Sequence, residues 1–340
     1  ADVAPFTTTM FGSAATTDLE VLFQWMHLTM TAPRAEQGAV DRLVDDRLPF
    51  ARDPSLDANV AEAVALTEAR YDDPRYQLSS VPELESIDVD AIERIARNRC
   101  SNAQGWVIAL AGDVDTDEVI ELASAYLGSL PAGDSAPSVD FVQPPAPMGP
   151  VIVEPDAGAG APANVSFLLE APAEATQTAQ VLAQVVREVV QNRLTDVIRE
   201  QLSDTYSPVA SLDIGDGLTP VAATFVSVTA APDDIGAVSD AILTQFADLR
   251  SNGPTEREFA NALATVREGS NFINNGQIND EIVDALLVPE ISARFGTSFD
   301  DWVNEAVFID ELERSDVDAA IATWLDDTDY IEVRVVPGAS

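Results

Sequence analysis

The sequence predicts an α+β fold in two domains, and three of its features carry this prediction. The chain has 340 residues, more than the roughly 250 residues that one hydrophobic core usually serves. Residues 131–150 contain six prolines, a composition that favours an extended connection over a regular helix. Helical and strand patterns mix on both sides without strict alternation, as in a helix layer packed on a largely antiparallel sheet. We therefore predict domains at 1–130 and 151–340, joined by a proline-rich linker at 131–150.

Five helices and one strand are predicted before the linker. Apolar residues recur at helical spacing in TDLEVLFQWMHLTM, RAEQGAVDRLVDDRLPFA, DANVAEAVALTEARY and DVDAIERIARNRC. The stretch GWVIALAGDVDTDEVIELASAYLGSLP predicts a strand, a tight turn and a capped helix. One strand cannot form a sheet with satisfied edges. The first domain is therefore expected to be truncated at its N-terminus or to take strands from another segment.

Five strands and four helices are predicted after the linker. Short apolar or alternating runs predict strands in PVIVEP, ANVSFLLEAP, SPVASLDI, VAATFVSVTAAP and DYIEVRVVP. Helical spacing predicts a long helix from about Ala175 to Leu202 and three others, in DDIGAVSDAILTQFADLRSNG, TEREFANALATVREGSNFI and DVDAAIATWL. The GDGLT stretch carries turn residues, so the strands on either side of it are expected to form a hairpin.

The charge and composition exclude several classes of partner. The chain has 58 acidic and 18 basic residues and a formal net charge of −40. Such a field repels phosphate groups, so a nucleic-acid partner is not expected. No apolar run approaches the roughly 18 residues that a membrane span needs, so no span is expected. The single cysteine, Cys100, is predicted to be a buried structural thiol.

The long helix ending near Leu202 changes character along its length. Its first four turns carry an apolar stripe that faces a core. The same direction is then taken by polar residues, namely Asn192, Arg193, Asp196 and, at its margin, Arg199. A buried guanidinium without partners costs several kcal/mol, so Arg199 must reach water, line a cleft, or pair with Asp196 or Glu200. Taken by itself, Tyr206 is expected to lie at the edge of a core with its hydroxyl hydrogen-bonded.

The run NRLTDVIREQLSDTYSPVAS resembles a segment of the pitrilysin-type zinc peptidases, the family of the insulin-degrading enzyme, with the pattern R-L-x(3)-[LI]-R-E-x(5)-Y-[ST]. Arg199 and Tyr206 match its second arginine and its tyrosine. The glycine that usually stands shortly before that tyrosine is absent from residues 203–205. Other stretches resemble the same family in the same order: MHLTMTAPR, DPRYQ, VIALAGDVDTDEVIELASAYLGSLP, NGPTEREFANA and DYIEVRVVP.

This resemblance implies a fold and a division of labour. Enzymes of the family have two halves, each of two similar domains, and the first half holds zinc on an H-x-x-E-H helix. That motif is absent here, and the only histidine, His27, has no glutamate beside it. Catalytic zinc needs three protein ligands, so His27 is predicted to be a packed or partly exposed helical residue. The chain would thus be the non-catalytic C-terminal half, with two domains similar to those of pitrilysin and the mitochondrial processing peptidase.

The resemblance also implies site residues and partners. Residues 1–130 would be a truncated third domain and residues 151–340 a fourth domain. Arg199 and Tyr206 would bind the carbonyl or developing oxyanion of a peptide or unfolded polypeptide substrate. Zinc is expected on the N-terminal half, in the same polypeptide or a separate subunit, and the chain alone should be inactive.

Two other functions stay open at this point. One is a non-catalytic scaffold or partner subunit of the same fold. The other is an acidic module that binds basic peptides. Related bacterial enzymes occur both inside the cell and in its envelope, so the resemblance leaves the compartment open.

Overall fold

A computed structural model describes residues 2–3, 8–100, 102–133, 149–158, 162–201, 207–215, 221–274 and 305–336. The described residues fall into two compact units. The first unit draws on residues up to 48 and on 80–133, and the second on 49–79, 149–274 and 305–336. The predicted linker lies mostly outside the described residues, and the predicted domain boundaries stay a prediction.

Eleven α-helices occur in the described part of the chain, and they include the nine that the sequence predicts. The two additional helices, α4 and α10, are too short to show a full amphipathic period. The helices are α1 (Leu19–Thr31), α2 (Gln37–Arg52), α3 (Ala58–Arg70), α4 (Val81–Glu85), α5 (Val89–Cys100), α6 (Thr116–Leu122), α7 (Gln177–Gln201), α8 (Ile235–Asn252), α9 (Glu256–Asn274), α10 (Glu305–Glu311) and α11 (Arg314–Trp324).

The strands of the second unit form one mixed sheet of five strands. Its order is β3-β7-β4-β6-β5. The pair β3 and β7 is parallel, and the other three pairs are antiparallel, so the predicted largely antiparallel sheet is confirmed. The strands in chain order are β1 (Asp2–Val3), β2 (Thr8–Thr9), β3 (Val151–Val153), β4 (Ala163–Pro172), β5 (Val209–Ile214), β6 (Val221–Ala230) and β7 (Ile331–Val335). The short strands β1 and β2 pair with each other in the first unit.

A helix layer of α7, α8 and α11 covers one face of the sheet. Phe167 of β4 and Phe246 of α8 are fully buried there, with their rings edge to face at 6.2 Å. On the same face β7 places a carboxylate, Glu332, which is also fully buried. It accepts hydrogen bonds of 2.6 Å from Ser239 Oγ and from Arg334 Nε. These donors offset the cost of removing the charge from water.

The opposite face of the sheet is covered in part by α3, which the predicted boundary assigns to the first domain. Ala65 of α3 packs with Leu168 and Val333 on this face. The small side chains of the helix allow a close approach, and β7 turns its apolar residues Ile331, Val333 and Val335 toward this face. Sequence periodicity identifies α3 as a helix, but it carries no information on which sheet the helix covers.

The strand predicted within GWVIALAG is not formed, although its residues are described. Val107 is 62% exposed and Ile108 is 40% exposed. A strand requires a hydrogen-bonded neighbour, and the described residues of the first unit offer none to this segment. The high strand propensity of Val and Ile is therefore not sufficient to form a strand here.

Candidate functional site

Helix α7 is the scaffold of the candidate site. Its 25 residues begin with the predicted apolar stripe of six residues. Five of them are at most 1% exposed, namely Val181, Val185, Val186, Val189 and Val190. The sixth, Leu182, is half-buried against the same core. This half of the helix is fixed in the core of the second unit, so its last turns are held at a defined position.

Arg193 marks the point where the stripe becomes polar, and the structure gives it a structural role. Its guanidinium is 9% exposed. Nε and Nη2 donate to the two carboxylate oxygens of Glu258 at 2.7 and 2.6 Å, and Nη1 donates to Asp248 at 2.7 Å. Because Asp248 lies on α8 and Glu258 on α9, one side chain joins three helices. Sequence reasoning identified the position but not these partners.

Glu258 also caps the start of α9. Its carboxylate accepts from the backbone N–H and the hydroxyl of Thr255 at 2.7 and 2.8 Å. The hydroxyl in turn accepts from the N–H of Glu258 at 3.3 Å, which completes a capping box. The hydrogen bonds from Arg193, aided by those of Thr255, lower the pKa of Glu258 from 4.5 to about 2.

Arg199 lies in the last turn of α7, and its side chain is exposed, whereas the preceding Ile198 is fully buried. Of the alternatives left by the sequence, the structure supports the one in which the guanidinium reaches water. The ion pairs among the described residues do not include Arg199, although Asp196 and Glu200 are close to it in the chain. Tyr206 lies outside the described residues. Its approach to Arg199 therefore stays a prediction.

Gln191 ties the start of β5 to α7. Its side-chain Nε2 donates to the carbonyl oxygen of Pro208 at 2.9 Å, and its Oε1 accepts from the N–H of Ala210 at 2.8 Å. These two hydrogen bonds thus join the middle of α7 to the start of β5. Sequence reasoning missed Gln191, because a single polar residue beside an apolar stripe gives no signal of a contact 19 residues away.

The described residues provide no group of three His, Cys, Asp or Glu side chains that could hold a metal ion. His27 is a half-buried residue of α1, as the sequence predicts, and its Nδ1 lies 2.7 Å from the carbonyl oxygen of Tyr126. Cys100 is buried in the first unit, and this burial raises the pKa of its thiol. The surroundings of His27 and Cys100 are thus those expected of residues with a structural role.

None of the helices in the described ranges combines the length and apolar composition needed to cross a membrane.

Comparison with protein families supplies the identification. Residues 96–266 match the model of the Peptidase M16 inactive domain, a span of just over half the chain. The chain belongs to the M16 peptidase family. Because the matched domain is the inactive one, the recognition as a pitrilysin-type, non-catalytic C-terminal half is confirmed. Comparison of this M16 inactive domain with curated protein sequences finds no significant match.

Solved structures share the fold of this M16 inactive domain. The periplasmic protease PqqL from Escherichia coli is 16% identical, with a TM-score of 0.76 over 96% of this chain and 36% of its own. A mutant of the ferredoxin protease FusC, solved with Arabidopsis ferredoxin, is 16% identical with a TM-score of 0.75, over 96% of this chain and 35% of its own. The M16 inactive domain from Pseudomonas fluorescens is 16% identical with a TM-score of 0.72, over 96% and 76%. The chain thus spans about a third of the length of the first two proteases.

Proposed function

We propose that this M16 inactive domain is the substrate-binding half of a zinc-dependent endopeptidase whose metal lies on another half. One observation carries the proposal: α7 is fixed by its core stripe and by Arg193, and it presents Arg199 to solvent where the family motif places its arginine. The guanidinium of a structural arginine such as Arg193 is already paired with carboxylates. Arg199, among the described residues, is left available for a ligand.

The chemistry of the two motif residues fits a peptide carbonyl. A guanidinium is always charged and offers several N–H donors in a fixed plane. A phenol adds one O–H donor. Donors of this kind stabilise a carbonyl oxygen as it gains negative charge during hydrolysis. In this proposal Arg199 and Tyr206 bind the substrate carbonyl and orient it. Neither side chain transfers a proton during the reaction.

Zinc, bound on the other half, would supply an activated water molecule for attack on that carbonyl. The described residues of this chain do not fit a zinc site, because its one imidazole already faces a backbone carbonyl oxygen and no three ligands converge. We propose a polypeptide as the ligand class, in keeping with the ferredoxin bound in the FusC complex. Whether the zinc half is the same polypeptide or a separate subunit does not alter the role of Arg199.

The proposed function predicts that this chain alone binds a polypeptide but does not cleave it. A fluorescently labelled unfolded polypeptide should bind the purified chain in an anisotropy titration and remain intact by mass spectrometry. Arg199→Ala should weaken this binding, because it removes the exposed donor group. Arg257→Ala is the matched control, since Arg257 is another exposed arginine of the second unit, on α9.

Two results would contradict the proposal. Equal affinity of the Arg199 and Arg257 variants would show that Arg199 contributes only charge. Absence of any polypeptide binding would favour the alternative of a scaffold or partner subunit, with which the lack of the family glycine at 203–205 is compatible.

A further inference from the structure

Strand β5 is an edge of the five-stranded sheet, with β6 as its only strand neighbour among the described residues. In an antiparallel pair, alternate residues exchange both backbone hydrogen bonds with the partner strand, and the residues between them point these groups away. Gly215 N–H donates to the carbonyl oxygen of Val221 at 2.7 Å. In the same register Asp213 lies opposite Ala223 and Ser211 opposite Phe225. The backbone groups of the intervening residues, Leu212 and Ile214, therefore point away from β6.

The contact of Gln191 supports this reading of the register. Ala210 is the preceding residue whose backbone groups point outward, and its N–H donates a hydrogen bond to Gln191 Oε1. With its bond to Pro208, the Gln191 amide imitates one peptide unit of a neighbouring strand. Beyond it, the outward N–H and C=O groups of Leu212 and Ile214 have no hydrogen-bond partner within the described part of the chain. As far as the described residues show, the edge is thus capped at its start and unpaired along its remainder.

The side chains of β5 define what the open edge exposes. Leu212 is 5% exposed and Ile214 is 8% exposed, since both face the helix layer. Asp213 points to the other face and is exposed, and its neighbour on β6 is only an alanine, Ala223. A strand added to this edge would meet backbone donors and acceptors together with one unshielded carboxylate.

Charge decides between the possible occupants of the edge. A second copy of the chain could pair edge to edge, but each copy carries a formal net charge of −40 and would bring another Asp213 to the contact. Like charges at neighbouring strand positions are destabilising. In the last turns of the adjoining α7, the exposed carboxylates of Asp196 and Glu200 outnumber the exposed guanidinium of Arg199 and so add to the negative field. The same field attracts a basic peptide.

We propose that the outer edge of β5 binds an extended polypeptide segment as an added strand, with a Lys or Arg side chain beside Asp213. Backbone hydrogen bonds to Leu212 and Ile214 supply affinity that is independent of sequence, and the cross-strand ion pair supplies the preference for a basic residue. The inference rests on the proposed function, because the strand follows the Arg199 segment directly and the added chain is its substrate. Its test measures strand pairing and the effect of Asp213, whereas the test of the proposed function measures the effect of Arg199, so the two can fail separately.

The first arm of the test uses a labelled peptide of about seven residues in which valine and threonine surround a central lysine. Two N-methylated forms are compared, with methyl groups on odd or on even residues. Only alternate N–H groups of an added strand face β5, so one form should lose about tenfold or more in affinity for the 340-residue chain and the other should bind normally. Hydrogen exchange should slow at the amides of Leu212 and Ile214 when the unmethylated peptide binds.

The second arm tests the preference for a basic residue. Asp213→Lys should weaken binding of the lysine peptide about two- to fivefold and strengthen binding of the matching glutamate peptide. Asp213 is exposed, so the substitution leaves the core intact. Equal loss of affinity in both methylated forms, or unchanged exchange at Leu212 and Ile214, would overturn the proposal. Protection of these amides that rises with protein concentration in the absence of peptide would identify a second copy as the occupant and would also overturn it.

Discussion

Replacing Arg199 by Ala in the assembled peptidase is expected to lower kcat for peptide cleavage about 100- to 1000-fold, as loss of one oxyanion donor does elsewhere. Arg199 is exposed and does not belong to the core stripe of α7, so the variant should fold normally. Arg199→Lys should recover part of the activity, because it keeps the charge but not the planar pair of donors. Steady-state kinetics with a fluorogenic peptide measure all three forms.

Two controls separate the proposed role from indirect effects. Zinc content of the assembled enzyme should be unchanged in Arg199→Ala, because the metal is expected on the other half. Arg257→Ala, which removes an equal charge from an exposed position on α9, should leave kcat within about twofold of the wild type. Normal turnover by Arg199→Ala would remove the role of this residue.

Replacing Arg193 by Ala is expected to destabilise the second unit by about 3 kcal/mol. The substitution leaves the half-buried Glu258 carboxylate without its bidentate donor, and removal of one partner of such a pair is costly. It also breaks the link between α7, α8 and α9. Urea unfolding followed by circular dichroism measures the change.

The matched control is Arg267→Ala. Arg267 pairs with Asp310, but both side chains are well exposed, so its loss should cost less than about 1 kcal/mol. Equal stability changes in the two variants would contradict a structural role for Arg193.

The acid dependence of stability gives a second readout of the same ion pair. The folded-state pKa of Glu258 is lowered from 4.5 to about 2. Its contribution is therefore fully present above pH 4.5 and is lost as the pH falls toward 2, because the unfolded carboxyl binds a proton first. The Arg193 variant should show a weaker loss of stability across this window than the wild type.

Local patterns in the sequence are sufficient to predict most elements of the second unit. The apolar stripe from Val181 to Val190 predicts α7, and the apolar runs on either side of GDGLT predict the pairing of β5 with β6. Each of these signals depends on residues close together in the chain. The strand predicted at Val107 fails because a strand also depends on a neighbour, which no local pattern supplies.

The candidate site shows the same limit. Projection of the sequence onto a helix places Arg193 and Arg199 on or near the same side of α7. It cannot distinguish the arginine bound by Glu258 from the one left exposed. That difference depends on a carboxylate 65 residues away in the chain. The role assigned to Arg199 comes instead from the family motif, and the cap that Gln191 places on β5 has no sequence signal at all.

A complementation assay tests the division of labour between the two halves most directly. Peptide cleavage is measured for this chain alone, for the zinc-bearing half alone, and for their mixture, each with zinc present. The account predicts that only the mixture cleaves at an appreciable rate, and that the rate saturates as this chain is added. Cleavage by this chain alone in the presence of zinc, or full activity of the zinc-bearing half without it, would contradict the account.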